Sequence, residues 1–257
     1  MKSMISLMLF CVTITLASCT SHDVSFKQII AHRGEHHDCP ENTLPAVQRA
    51  FELGVDGVEI DVQVSRDGVV VLCHDRNIKK MTGIDAEVAE LTYEELKQTD
   101  FGGSKGGEWK GTRIATLKEV LAILPKGKFV HIEMKAPSKT LLGPMIEVVK
   151  ASGLGPDQVM FTSSKFDNIV AVEKRLPNYH TFWNGYQDPD IAKKAGIDGI
   201  AAYFKESHAR QVLASGLKLR IGRVNSLEIA KQVKACGVEI IDTDDPAVMI
   251  PLLRRQK

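Results

Sequence analysis

Two short stretches of the chain set ionisable side chains two residues apart: Glu59 and Asp61 in Val58-Glu59-Ile60-Asp61-Val62, and Glu133 and Lys135 in His131-Ile132-Glu133-Met134-Lys135. Alternate residues of an extended strand project to the same side, so each pair shares one face. Three carboxylates brought together are unfavourable without compensating positive charge, and the donor set suits a hard divalent cation bound through oxygen. An ion-pair cluster in which Lys135 and Arg33 neutralise the acids without metal is the other reading at this point. Two histidines stand in similar surroundings, His32 before Arg33-Gly34 and His74 before Asp75. Imidazole titrates near neutral pH, so a pair can divide acid and base roles; taken singly, each could equally be a satisfied residue at a strand end. Arg33 and Lys135 supply charge that a phosphoryl group would need. Metal-assisted hydrolysis of a phosphate ester is the chemistry these parts fit. Trp183 could wall the substrate pocket with its apolar face, or pack as plain core. His131, two residues before Glu133, faces inward but deeper and reads as structural, and His36 and His37 read as solvated loop residues.

Holding such groups together requires an ordered frame. Beyond residue 27, strand-like apolar runs at 28–32, 55–62, 129–134, 159–163, 180–183, 199–203, 218–223 and 238–242 alternate with helix-like segments at 44–53, 117–124, 139–151, 168–175, 190–195, 208–214, 227–235 and 247–254. No Ser/Pro/Gly-rich linker divides them, so residues 27–257 read as one domain. Leu53-Gly54-Val55, Ala195-Gly196-Ile197 and Cys236-Gly237-Val238 repeat one phrase, in which a glycine past a helix end turns the chain into an apolar run. Repeated helix–glycine–strand units are those of a parallel sheet covered by helices. Eight of them predict an α/β fold, a (β/α)8 TIM barrel, at about the usual length of 250 residues. The alternative, an open doubly wound sheet, lacks a G-x-G-x-x-G motif after the first run.

One segment departs from this rhythm. Residues 63–74 form two β-rich runs joined at Asp67-Gly68, a strong hairpin signal, and so short a turn must return the chain antiparallel. A two-residue turn pairs 66 with 69 and continues to 61 with 74, setting His74 opposite Asp61. Residues 76–112 then form a small insertion after the second strand, with one short helix at 92–98 opened by a capping-box-like Thr92-Tyr93-Glu94-Glu95, expected over the barrel mouth.

The start of the chain is of another kind. Lys2 precedes an uncharged apolar run at 4–17, shorter than the roughly 20 residues that span a bilayer and matching a secretory signal. Leu16-Ala17-Ser18-Cys19 resembles the bacterial lipoprotein box, which predicts a signal over residues 1–18 and a lipidated Cys19; ordinary cleavage after Ser18 is the alternative. The expectation is therefore an exported protein of the bacterial cell envelope, in periplasm or outer membrane, touching the membrane only through its N-terminal lipid anchor. Thirty-three basic and 32 acidic residues give a net charge of +1, so no global field attracts nucleic acid. Cys39, Cys73 and Cys236 are expected as small buried residues, with a Cys39–Cys73 bridge as the alternative.

A resemblance sharpens this reading. Ile30-Ala31-His32-Arg33-Gly34, Pro40-Glu41-Asn42-Thr43, Gly54 through Val62, Asp67-Gly68, His74-Asp75, Ile132-Glu133-Met134-Lys135 and Thr162-Ser163-Ser164 resemble, in order and spacing, the signature of the glycerophosphodiester phosphodiesterase family. Looser likeness reaches Thr243-Asp244, so nearly the whole mature chain is covered. The resemblance implies a metal-dependent hydrolase that splits glycerophosphodiesters, small-molecule substrates, into glycerol 3-phosphate and an alcohol. It also implies that Glu59, Asp61 and Glu133 ligate Mg²⁺ or Ca²⁺, with Glu41 as a further ligand or a carboxylate behind them. His32 and His74 become the acid–base pair, Arg33 holds phosphate, and Lys135 adds charge beside it. Other readings are a phospholipase-type phosphodiesterase on intact lipid and a non-catalytic lipoprotein that binds a phosphate ligand. The chain departs from the family where a Trp-Thr-Val-Asn stretch is replaced by Ile221-Gly222-Arg223-Val224-Asn225 and where Lys165 interrupts a Ser-Ser-Phe run. With Arg220, these cations either favour an anionic or polyol head group over choline or are solvated rim residues.

Overall fold

The computed structural model describes residues 24–254; the apolar run at 4–17 and Cys19 lie outside the described residues. The strands are β1 (Gln28–His32), β2 (Gly57–Val64), β3 (Val70–Leu72), β4 (Phe129–Met134), β5 (Val159–Ser163), β6 (His180–Asn184), β7 (Gly199–Tyr203), β8 (Lys218–Gly222) and β9 (Ile240–Thr243). All but β3 are parallel and close into an eight-stranded barrel, β1 pairing with both β2 and β9. Helices α1 (Leu44–Glu52), α2 (Lys79–Thr82), α3 (Tyr93–Lys97), α4 (Leu117–Ala122), α5 (Ser138–Ser152), α6 (Phe166–Arg175), α7 (Pro189–Lys194), α8 (Glu206–Ala214), α9 (Leu227–Ala235) and α10 (Pro246–Leu253) follow in chain order, with α2 and α3 inside the insertion. The fold is the (β/α)8 TIM barrel.

The thrice-repeated phrase works as a joint. Gly54, Gly196 and Gly237 all adopt left-handed φ, between 82° and 90°, which suits glycine at a helix end. Each strand starts three residues later, at Gly57, Gly199 and Ile240; the run expected at 199–203 begins there, whereas those expected from 55 and 238 begin two residues too early. The intervening Val55, Ile197 and Val238 are buried under the helices. Asp56 and Asp198 accept the backbone N–H of Ile29 and Thr181 at 2.8 and 2.9 Å, tying the start of one strand to its neighbour.

Strand alternation sorts the side chains. Val130, Ile132 and Met134 of β4 face the helices in the main core, and Val58, Ile60 and Val62 of β2 do the same. Residues of opposite parity face the barrel axis. Ile30, Phe129, Met160, Phe182 and Ala201 form an apolar plug at the strands' starting ends. A Cβ on Gly57 or Gly199 would lie 2.3 or 2.5 Å from the Phe129 or Phe182 ring, so the plug requires glycine at both places. His131 is fully buried with its ring 5.6 and 5.3 Å from Phe129 and Phe182, in the deep structural position expected of it.

The hairpin turns on three residues, not two. Ser65 N–H donates to the Val69 carbonyl at 2.9 Å, Gly68 has φ 88°, and Val62 pairs with Leu72. Such a loop, closed through a left-handed glycine, shifts the register by one. Cys73, whose N–H donates to the Asp61 carbonyl at 3.0 Å, therefore stands opposite Asp61 in place of His74. The insertion has its own core around Ile78, Met81, Val88, Leu96 and Phe101, packed on Val71 and Cys73, and α3 has the expected capping box of Thr92 and Glu95. No residue of 76–112 lines the central cavity, and the insertion meets the loop after β1 through Lys105, whose Nζ donates to the His37 carbonyl. Cys39, Cys73 and Cys236 are free, so the alternative bridge is not formed, and Cys236 is only half-buried.

Candidate active site

Register brings the acids together. Pairing of β1, β2 and β4 sets His32 beside Glu59 and Asp61 beside Glu133, where the carboxylates reach the strands' C-terminal rim. Donor oxygens of Glu59, Asp61 and Glu133 lie within 4.8 Å of one another. Asp61 is almost fully buried and balanced by cations: Lys135 Nζ lies 3.2 Å from its Oδ1, Arg33 Nε lies 3.2 Å from its Oδ2, and Asn42 Nδ2 donates to Oδ2 at 2.8 Å. Burial opposes its charge, yet Lys135 and Arg33 hold its carboxyl below the usual carboxylate range. Glu59 is less well provided. It accepts the Arg33 backbone N–H at 3.1 Å, but its Oε1 is buried with no hydrogen-bond partner. Burial and the neighbouring Asp61 push its pKa up to about 8. A carboxyl forced towards its neutral form beside two further acids is the arrangement that a bound divalent cation relieves, and the oxygen-only donor set fits Mg²⁺ or Ca²⁺.

Each imidazole at the rim is held through Nδ1 by a carboxylate. His32 donates to Asp244 Oδ1 at 2.7 Å, and His74 pairs with Asp75 Oδ1 at 2.7 Å. This leaves Nε2 of each ring for chemistry; that of His32 lies 3.9 Å from Glu59. Burial disfavours charge on His32, but the Asp244 hydrogen bond and Glu59 outweigh it and raise its pKa. Asp244 is itself fixed by Asn225, whose Nδ2 donates to Oδ2 at 2.7 Å and whose Oδ1 accepts the Asp244 N–H at 2.8 Å. Asp244 and Asn225 thus join the candidate site through His32, and the sequence alone assigns them no role. Their available signal was their place just past β9 and β8, at the same rim as His32.

His32, Arg33, Glu59, His74, Glu133 and Lys135 all line one cavity of about 430 Å³. Two of the expected site residues stand elsewhere. Glu41 binds Arg33 Nη1 at 2.9 Å and is not one of the clustered carboxylates, so its geometry is that of a residue behind the site. Trp183 does not line the cavity: its ring packs 4.6 Å from Phe166 and its Nε1 donates to the Ser164 carbonyl. Neighbouring Asn184 faces the cavity instead, because strand parity turns 183 away, and Tyr186 and Tyr203 supply the aromatic wall. His36 is likewise not a solvated loop residue, since its Nδ1 bonds the His32 carbonyl at 2.7 Å. Three non-glycine residues with left-handed φ, Arg33, Asn42 and Arg223, all lie around this rim, where backbone strain commonly gathers at function.

TIM-barrel enzymes hold their active sites at the C-terminal rim of the parallel barrel, where these charged groups and imidazoles stand. The model of the glycerophosphoryl diester phosphodiesterase family matches residues 32–248, and the chain belongs to that family. A glycerophosphodiester phosphodiesterase of Caldanaerobacter subterraneus subsp. tengcongensis is 32% identical over 239 residues, 88% of this chain and 98% of that protein. One from Bacillus altitudinis is 27% identical, covering 90% and 99%. The same fold occurs in an Oleispira antarctica phosphodiesterase solved in complex with the product sn-glycerol-3-phosphate, with a TM-score of 0.81 at 24% identity over 88% of this chain and 97% of that one.

Proposed function

We propose that the chain hydrolyses glycerophosphodiesters to glycerol 3-phosphate and an alcohol, with a divalent cation held by Glu59, Asp61 and Glu133 and with His32 and His74 as the acid–base pair. The observation that carries this is the opening of both carboxylate-held imidazoles onto the cavity lined by Glu59 and Glu133, whose donor oxygens cluster with those of Asp61. Bound there, Mg²⁺ or Ca²⁺ supplies Lewis-acid stabilisation of phosphoryl charge. Arg33 and Lys135 hold the non-bridging oxygens. One imidazole Nε2 takes the proton of the attacking hydroxyl, from the glycerol 2-position or water, as its oxygen bonds to phosphorus. The other ring delivers a proton to the departing alcohol as its P–O bond breaks; where the 2-hydroxyl attacks, water then opens the cyclic phosphate to glycerol 3-phosphate with the two rings exchanging roles. Release of glycerol 3-phosphate is the assay: EDTA abolishes it and restored Mg²⁺ or Ca²⁺ returns it. Turnover that persists after exhaustive chelation would refute the metal-dependent reading.

The wall across from the acids suits a leaving group bearing negative charge or many hydroxyls. Gly222 lines it, and the Arg223 guanidinium lies 5.4 Å over the Tyr203 ring with no acidic partner among the described residues, whereas buried Arg220 beside it is paired with Asp242 at 3.6 Å. Lys165 instead borders two neighbouring cavities. Higher kcat/KM for glycerophosphoinositol or glycerophosphoglycerol than for glycerophosphocholine is expected, and a clear choline preference would overturn this. The Cys19 lipid anchor and envelope location are part of the same proposal, supported by the 1–19 sequence. Palmitate labelling that survives Cys19→Ala contradicts the anchor.

A further inference from the structure

The loop after β1 carries an imidazole that the proposed reaction does not use. His36 Nδ1 lies 2.7 Å from the His32 backbone carbonyl; a carbonyl only accepts, so Nδ1 carries the proton and Nε2 presents a lone pair. That lone pair faces Asp244 Oδ1 at 3.7 Å, an oxygen that already accepts the His32 Nδ1 proton at 2.7 Å. Two acceptors therefore confront each other with no proton between them. Donor atoms of His32, His36 and Asp244 lie within 4.8 Å of one another on half-buried residues. The geometry points to a second metal site, for a borderline transition-metal cation such as Zn²⁺, formed by His36 Nε2, Asp244 Oδ1 and His32 Nδ1.

Donor chemistry separates this site from the carboxylate trio. Two imidazole nitrogens with one carboxylate suit Zn²⁺ or Cu²⁺, whereas oxygen-only sites suit Mg²⁺ and Ca²⁺. Three protein ligands with a fourth position left to water is a common zinc arrangement. The outer partners that orient zinc ligands are also in place. The His36 Nδ1–H is held by the His32 carbonyl, and Asp244 Oδ2 by Asn225 Nδ2 at 2.7 Å. On binding, the metal takes the His32 Nδ1 lone pair; the Nδ1 proton is lost to solvent and Nε2 takes one up, so the ring stays neutral with its one N–H on the atom proposed to take up or deliver the reaction proton. Zinc bound here therefore inhibits hydrolysis that Mg²⁺ or Ca²⁺ supports. Only this inhibition rests on the proposed function; zinc binding does not.

The test is calorimetric titration of ZnCl₂ into the full chain saturated with Mg²⁺, alongside His36→Ala and a control, His37→Ala, at an exposed neighbouring imidazole. One zinc per chain is expected in the wild type and in the control, with affinity at least about tenfold weaker in His36→Ala. Co²⁺ should give visible d–d absorption with the wild type that His36→Ala loses. Hydrolysis without zinc should be unchanged in His36→Ala, and its inhibition should need at least about tenfold more zinc. Equal zinc affinity in His36→Ala, or displacement of zinc by excess Mg²⁺, overturns the site. Zinc bound through His36 with turnover undiminished overturns the participation of His32. Should the chain hydrolyse no glycerophosphodiester, the proposed function fails while calorimetry and Co²⁺ absorption still decide the metal site.

Discussion

Phe129 and Phe182 help close one end of the barrel with their rings, while Glu133 and Lys135, four and six residues beyond Phe129, crowd charge into the other. Both ends use the same strands and the same alternation, so the contrast lies in how their side chains are satisfied. At the floor the contacts are apolar packing around the His131 ring, whose two nitrogens are buried without a hydrogen-bond partner, and two glycines exist to admit the phenyl rings. At the rim, Glu59 keeps a buried oxygen without a partner, and three non-glycine residues hold left-handed backbone. The floor is closed by ring packing, and the rim leaves a carboxylate oxygen free for a ligand.

Substitutions at the two ends should separate these roles. Phe182→Ala is expected to cost about 3–5 kcal/mol of stability through the cavity it leaves, with kcat per folded molecule little changed; a large kcat loss at full folding would collapse the distinction. His32→Ala should do the reverse, lowering kcat by about 10²–10⁴-fold at nearly unchanged Tm. A smaller effect is expected from Asp244→Asn, on the order of tenfold in kcat, because the ring keeps a hydrogen-bond partner but loses the charge that raises its pKa. With His32 acting as the acid, the alkaline limb of the pH–rate profile should move to lower pH, since its proton is then held less tightly.

Two pH effects on stability distinguish rim from floor more finely. In metal-free protein the raised Glu59 pKa means that the native state holds a proton which the unfolded chain releases, so stability falls as pH rises from about 4.5 to about 8. Glu59→Gln should flatten that decline in Tm measured in EDTA. Burial, with Arg220 nearby, drives the His131 pKa well below its ordinary 6.5. The unfolded chain then binds the extra proton, so stability falls as pH drops below 6.5. His131→Gln should remove this small acid-side loss, and an unchanged Tm–pH curve would show that His131 titrates alike in both states.

Much of the frame was legible in the chain. The strand at 129–134 and its inward Phe129, His131 and Glu133 follow from alternation, and the glycine joints follow from a repeated phrase. The turn at Asp67-Gly68 was located, but its length was not, because the same dipeptide closes both two- and three-residue loops. Trp183 and Asn184 illustrate another limit, since a strand's period says which residues share a face without saying which face meets the cavity.

What the sequence alone determined was local: element type, the common face of Glu59 and Asp61, and the kinds of donor available. Neighbouring residues set these through backbone stereochemistry and side-chain period. Only the tertiary structure decided that Asp244, 212 residues from His32, would hold its ring, that Glu41 would serve Arg33, and that His36 would face Asp244. Those distances arise from barrel closure and inter-strand register, which join segments whose separation along the chain carries no information about their separation in space.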